Sequence, residues 1–248
     1  MEYVERRYRE EFRQEDLTYF QVVVRQTDLS IGIRRERFSP ELAHWIKDMV
    51  WEQRVLLESY IKIDPDFLRS FTPHEVKPGA PPLAVAMADA ARVAGVGPMA
   101  AVAGAFAEYA GRELSRRSKD VIVENGGDIF LRSTRQRRIG VFAGKSALSN
   151  RIALEIRPED TPLGICTSSG TVGPSLSYGK ADAAVILSAS AVLADAVATA
   201  ACNLVQGEED IRTAVEFAAG INGVSGALII KGDHLAACGK LKLVPLRI

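Results

Sequence analysis

Residues 181–201, ADAAVILSASAVLADAVATAA, constrain this chain more than any other stretch. They are so uniformly apolar that they have to be buried, yet Asp182 and Asp195 fall among them. A membrane span would need about twenty mostly apolar residues and would be penalised by both carboxylates. Ser190 divides the stretch instead. The β-branched run before it suits a buried strand, and the serine is a good N-cap for a helix over about 191–205. A strand and a helix without a polar face belong in the middle of a layered core.

Asp195 has no helical reason to be there. Its i±3 neighbours are Val192 and Ala198 and its i±4 neighbours are Ala191 and Thr199, so no cation on the helix pairs with it. An unpaired buried carboxylate costs several kcal/mol or titrates upward. Thr199 shares its face. A carboxylate and a hydroxyl are hard ligands suited to Mg²⁺; backbone N–H groups of the 167–180 segment are the other candidate compensator.

The chain has 248 residues, 47% of them hydrophobic, enough for one domain over 1–248. An internal boundary is expected near 72–82, TPHEVKPGAPP. Lys plus Arg and Asp plus Glu both number 31, so no net field draws nucleic acid or an anionic membrane. Cys166, Cys202 and Cys238 are far apart and read as small buried apolar residues in a reducing compartment. The start, MEYVERRYREEF, is charged from its second residue and does not read as a leader, so cytoplasmic residence is expected. A homo-oligomer stays open.

Residues 17–35 suggest a hairpin turning at Thr27–Asp28, and Ser39-Pro40-Glu41 opens a long helix. Ala-rich helices are expected over about 83–93 and 98–116. A hairpin turning at Asn125-Gly126-Gly127-Asp128 follows, then strands at 138–144 and 151–157. Residues 161–180 read as one long loop. A helix over about 208–219 and terminal strands complete an α+β pattern of mixed or antiparallel sheets covered by helices. Helix, strand, Gly-Asp turn, strand occurs at 98–132 and again at 208–238. That is either an internal duplication of a helix–hairpin unit or a common way to cover a sheet.

Several motifs carry chemistry. GVGPMA at 95–100 has the glycine spacing of a dinucleotide loop, but a helix rather than a strand precedes it. What survives is a backbone that can approach a ligand closely, or an ordinary tight turn between helices. GPSLSYGK at 173–180 departs from a phosphate loop by one residue, with Ala181 where a hydroxyl should bind magnesium. NGGD is more permissive than a turn requires and can admit a flat ligand. Thr167, Ser168 and Ser169, with Ser175, Ser177 and Tyr178 beyond them, offer hydroxyls to a phosphate or a carbonyl. Cys166 has no histidine near it in sequence to make it a nucleophile. Arg132, Arg135, Arg137 and Arg138 read as a solvated turn or an anion dock.

Taken in order, AGAFA at 103–107, NGGDI at 125–129, TSSG at 167–170 and ADAVATAA at 194–201 resemble the FAD:protein FMN transferase (ApbE) superfamily. Its members carry Lys-Gly-Tyr-Ala, Ala-Gly-Gly-Asp-Ile, Thr-Ser-Gly and Ala-Asp-Ala-Leu-Ala-Thr-Ala in that order. The likeness covers roughly 95–205, and VGPMAAVAGAFAE with VENGGDI looks closest to a side branch of that superfamily. It implies an ApbE-like fold, a small-molecule dinucleotide or phosphorylated ligand, FAD, and Mg²⁺ held by Asp195, Thr199 and the carbonyl of Ala103. Gly126, Gly127 and Asp128 would line the flavin site with Thr167, Ser168 and Ser169 beside them. The implied activity is FMN transfer to a partner protein, or other chemistry on a dinucleotide. The alternative is a flavin- or metabolite-binding protein without transfer. Gly104 stands where the transferases carry lysine, and TVGPSLSYGKAD replaces their His and Pro-Arg-Thr-Gly segment.

Overall fold

A computed structural model describes residue 9, residues 13–171 and residues 178–246. Strands β1 (Leu17–Val24) and β2 (Thr27–Arg34) form the first hairpin. It turns at Arg25–Gln26, two residues earlier than expected, with Arg25 at φ 54°. Val24 then pairs with Thr27, which keeps Leu29, Ile31 and Ile33 on the buried face. Helix α1 (Pro40–Ile63) starts where the Ser39 hydroxyl accepts the Leu42 N–H at 3.2 Å. A short helix, α2 (Pro65–Arg69), and then α3 (Pro82–Ala94) follow.

Gly95 ends α3 in the left-handed conformation at φ 77°, which lets Pro98 start a 3-10 turn at once. The helix expected over 98–116 is therefore a 3-10 turn to Ala101 followed by α4 (Val102–Ser115). Next come β3 (Val121–Asn125), β4 (Asp128–Arg132), β5 (Arg137–Gly140), β6 (Ile152–Ile156), β7 (Leu163–Ser168) and β8 (Ala183–Ser188). Helices α5 (Ala191–Leu204) and α6 (Ile211–Ala219) precede β9 (Val224–Lys231), β10 (His234–Gly239) and β11 (Leu243–Pro245).

Eight strands make one sheet, ordered β1-β2-β3-β4-β7-β8-β9-β10, and β11-β6-β5 make a second. Every recorded pairing is antiparallel. The fold is thus α+β. Alternation within the strands divides the core: Val121 and Val123 face the helices, while Ile122 faces the small sheet with Leu131, Ile165 and Val185. Helix α4 lies on β3–β4, and α6 lies on β9–β10.

The segment expected to be one loop over 161–180 instead contributes β7, between β4 and β8 in mid-sheet. Gly164 hid it, because glycine weakens strand propensity. Here it is needed, since a Cβ at Gly164 would lie 2.4 Å from the Ala191 Cα of α5. The arginine cluster is also not a plain solvated turn. Arg137 is buried between Asp16 and Asp120, and its Nε–H donates to Ser133 Oγ at 2.7 Å. Arg34 and Thr134 close on the same Asp120 carboxylate, holding its pKa far below the usual range against the opposing effect of burial. Cys166 and Cys202 are buried, but Cys238 is exposed, because β10 is an edge strand. Among the described residues no single helix is long and apolar enough to cross a membrane. The one pair with the combined length bends by 104°.

Candidate functional site

The β3–β4 turn reverses direction through two glycines, Gly126 at φ 70° and Gly127 at φ 109°. Neither carries a side chain, so the turn is bare backbone, steadied by the Gly127 N–H donating to Glu124 Oε1 at 2.8 Å. Beside it β7 ends in Thr167 and Ser168, and across from it stand the first turn of α4 and the face of α5 that carries Asp195, Thr199 and Asn203. These elements enclose a cavity of about 1010 Å³. Gly126, Gly127, Asp128, Thr167, Ser168, Ser169, Asp195, Thr199 and Ala103 all line it, so the nine residues to which the resemblance gives a role come to one place, whereas Cys166 and the arginines of 132–138 do not line it. Gly95, Gly97 and Tyr178 line it too. Ser175 and Ser177 lie outside the described residues.

Asp195 has a local explanation in the fold. Its Oδ2 accepts the Gly104 N–H at 2.8 Å, and the Ala103 N–H also points at the carboxylate. Asp195 therefore caps the N-terminus of α4, where free N–H groups and the helix dipole favour a negative charge. Among the described residues the compensating donors come from α4. The close approach depends on Gly104: a Cβ there would lie 2.3 Å from the Ala191 carbonyl oxygen and 2.8 Å from the Asp195 Cβ.

These donors do not outweigh desolvation. Asp195 is 8% exposed, and burial pushes its carboxyl up to about 7. Asp128 is pushed well above its ordinary range, first by burial and then by the Asp195 charge, although the Thr167 N–H donates to its Oδ1 at 3.3 Å. Among the described residues no side-chain cation stands among the largest causes of either shift. Cys166 is fully buried beneath the pair and burial raises its thiol, so it stays protonated and donates to the Ala191 carbonyl at 3.3 Å. That excludes a thiolate nucleophile here.

A pH dependence follows. Unfolded, Asp195 titrates near 3.8; folded, near 7. Between these values the folded state binds more protons, so Asp195 lowers stability as pH rises and its full cost is reached above about pH 7. The melting temperature in metal-free buffer is expected to fall from about pH 4 to about pH 8 by more in wild type than in Asp195→Asn. Parallel curves would refute the assignment.

Two contacts at the site were not legible in the sequence, that of Phe71 with Tyr178 and that of Asn125 with Ala103. Phe71 and Tyr178, 58% and 65% exposed, meet edge to face at 5.5 Å between ring centroids, and both line the cavity. The Tyr178 backbone is held by its N–H donating to Asn203 Oδ1 at 2.9 Å. Phe71 stands outside any apolar periodicity beside the proline-rich segment, which was its only signal. Asn125 read as a turn residue, but its Nδ2 donates to the Ala103 carbonyl at 3.0 Å.

The family model described as AbpE bacteria matches residues 9–233. The chain belongs to that family. It is 37% identical over 226 residues to a UPF0280 protein of Methanococcus maripaludis, covering 89% of this chain and 90% of that one. It is 41% identical over 197 residues to a UPF0280 protein of Methanosarcina acetivorans, covering 79% and 78%. Among solved structures it resembles the flavin transferase ApbE from Vibrio cholerae, with TM-score 0.56, 14% identity and coverage of 92% and 96%. The ApbE protein of Thermotoga maritima gives TM-score 0.56 at 13% identity, covering 89% and 96%. At such identities the likeness shows a shared fold. This chain thus has an ApbE-type fold, and the cavity lies within the portion of it that the family model matches.

Proposed function

We propose that this chain binds FAD in the cavity with Mg²⁺ and transfers the FMN half to a hydroxyl of a partner protein. The carrying observation is the convergence of a bare Gly126–Gly127 turn, the 167–169 hydroxyls, Asp128, Asp195 and Thr199 on one cavity of about 1010 Å³. That is at the upper end of small-molecule sites and suits a dinucleotide better than a mononucleotide. In the transfer, a bond forms between the acceptor oxygen and the FMN phosphorus as the pyrophosphate P–O bond breaks. AMP leaves and the hydroxyl proton is released.

The chemistry of the donor set fits a hard divalent cation in part. Asp195 and Thr199 offer oxygen, and both line the cavity. When bound, the cation would offset charge on the pyrophosphate oxygens. The residues themselves position the ligand: the glycine turn lets backbone approach a flat ring, and the Thr167 and Ser169 side chains stand at the rim.

Gly104 favours a second reading, binding without transfer. The transferases place a lysine there, whereas this position faces α5 so closely that no side chain fits. Incubating the protein with FAD and Mg²⁺, with calorimetry and chromatography of the nucleotides, separates the readings. Transfer chemistry expects Mg²⁺-dependent binding and release of AMP. The second reading expects binding with FAD recovered intact. No binding of FAD at millimolar concentration, with or without Mg²⁺, would remove both.

A further inference from the structure

The mouth of the cavity carries two aromatic rings that the glycine turn and the Asp195 region do not use. Phe71 and Tyr178 line it, are both exposed, and meet edge to face with 5.5 Å between ring centroids. The backbone beneath each ring is anchored. The chain at Ser70–Phe71 crosses bare backbone at Gly97, where a Cβ would overlap the Ser70 carbonyl. Just beyond, His74 Nε2 lies 2.8 Å from Oδ2 of the buried Asp64, which also accepts the Tyr60 hydroxyl at 2.8 Å. On the other side Gly179 lies so close to α5 that a Cβ would overlap the Cys202 carbonyl, and the Gln206 Nε2–H donates to the Tyr178 carbonyl at 3.1 Å. Paired exposed rings on anchored backbone at a cavity mouth mark a contact surface, unlike apolar residues scattered singly over a protein.

Charge decides what that surface suits. Among the described residues two cations line the cavity, Arg9 and Arg69. Arg9 is already paired, with Asp28 at 3.0 Å and with Glu124. Arg69 closes the short helix α2 two residues before Phe71; it is exposed, and none of the described residues pairs with its guanidinium. A guanidinium next to aromatic rings suits a phosphate attached to a flat base. Asn203, whose Oδ1 accepts the Tyr178 N–H at 2.9 Å, lies about 12 Å further along α5 than Asp195. One ligand reaching both places must be extended, as a dinucleotide is.

We propose that Arg69, Phe71 and Tyr178 form the subsite for the adenosine-phosphate end of a dinucleotide, with the base stacked on the aromatic pair and its phosphate facing the guanidinium. This rests on the reading of the cavity as an FAD site and adds which end of the ligand the mouth holds. The bare Gly126–Gly127 turn is left to the flavin ring. Stacking on aromatic side chains tolerates any base, so Arg69 and the distance from the turn set the ligand's direction. An AMP end held at the mouth is also placed to leave once the pyrophosphate bond is broken.

The test is calorimetry of the full-length chain with FAD and, separately, with FMN, both in Mg²⁺ buffer, with thermal melts alongside. FMN carries the flavin ring and a phosphate but no adenosine. Phe71→Ala and Tyr178→Ala are each expected to weaken FAD about tenfold and to leave FMN within about twofold. Their melting temperatures should stay close to wild type, because both side chains are exposed; if one does not, the leucine variant replaces it. Phe71→Tyr and Tyr178→Phe, which keep the rings, are expected to keep FAD affinity. Arg69→Gln is expected to weaken FAD by about fivefold or more and to make its binding less sensitive to salt. Equal losses for FAD and FMN would place the flavin at the mouth and overturn the inference. Unchanged FAD affinity in the alanine and Arg69→Gln variants would overturn it too and leave the FAD reading standing; a fall in transfer to a protein acceptor in those same variants would then assign the mouth to the acceptor. Wild type that binds no FAD would end both.

Discussion

Gly104→Leu should lower stability by about 3 kcal/mol, the upper end for overpacking. For a chain of this length that is a fall in melting temperature of roughly 10 °C. The first atom of any side chain at Gly104 meets main chain, 2.3 Å from the Ala191 carbonyl oxygen, and main chain gives way only if α4 and α5 separate. Gly104→Ala should therefore show most of the same loss. The separation would also stretch the 2.8 Å bond from the Gly104 N–H to Asp195, so the cavity would loosen with the core. Thermal melts of both variants check this. A melting temperature unchanged in Gly104→Leu would mean that the position faces open space, as the transferases' lysine would require.

Asp195→Asn should separate binding from stability. Its side-chain oxygen can still accept the Gly104 N–H, while the charge that burial disfavours is removed. In metal-free buffer above about pH 7 the variant is therefore expected to be at least as stable as wild type. Metal-dependent FAD affinity, which needs the charge, is expected to fall by about 100-fold or more, comparable to losing one charged partner of a buried pair. Calorimetry with FAD and Mg²⁺ beside thermal melts reads both. Unchanged FAD affinity together with a drop in stability of about 1–3 kcal/mol would assign Asp195 to capping α4 alone.

Much of the site was legible because its residues break local rules. Asp195 interrupts an apolar helix, and NGGD has one glycine more than a short turn requires, so both stand out in the sequence alone. The β7 strand was missed for the converse reason. Gly164 is there for helix packing, and a run buried on both faces shows no alternation. Arg137 read as solvated because its partners, Asp16 and Asp120, lie far from it in the chain.

Periodicity and composition, which depend only on neighbouring residues, were enough to determine the α+β pattern and the Ser39 and Ser190 caps, while the nine site residues came from the order of motifs that carries the family resemblance. Tertiary structure alone decided what those residues touch. Asp195 takes its hydrogen bond from α4, Asn125 takes the Ala103 carbonyl, Asp128 and Asp195 come to line one cavity, and Phe71 meets Tyr178 at the rim. Each of these pairs joins segments from different elements. A hydrogen bond or a charge interaction acts over a few ångströms of space, and local sequence patterns carry no term for a distance that is closed by the packing of helices on a sheet.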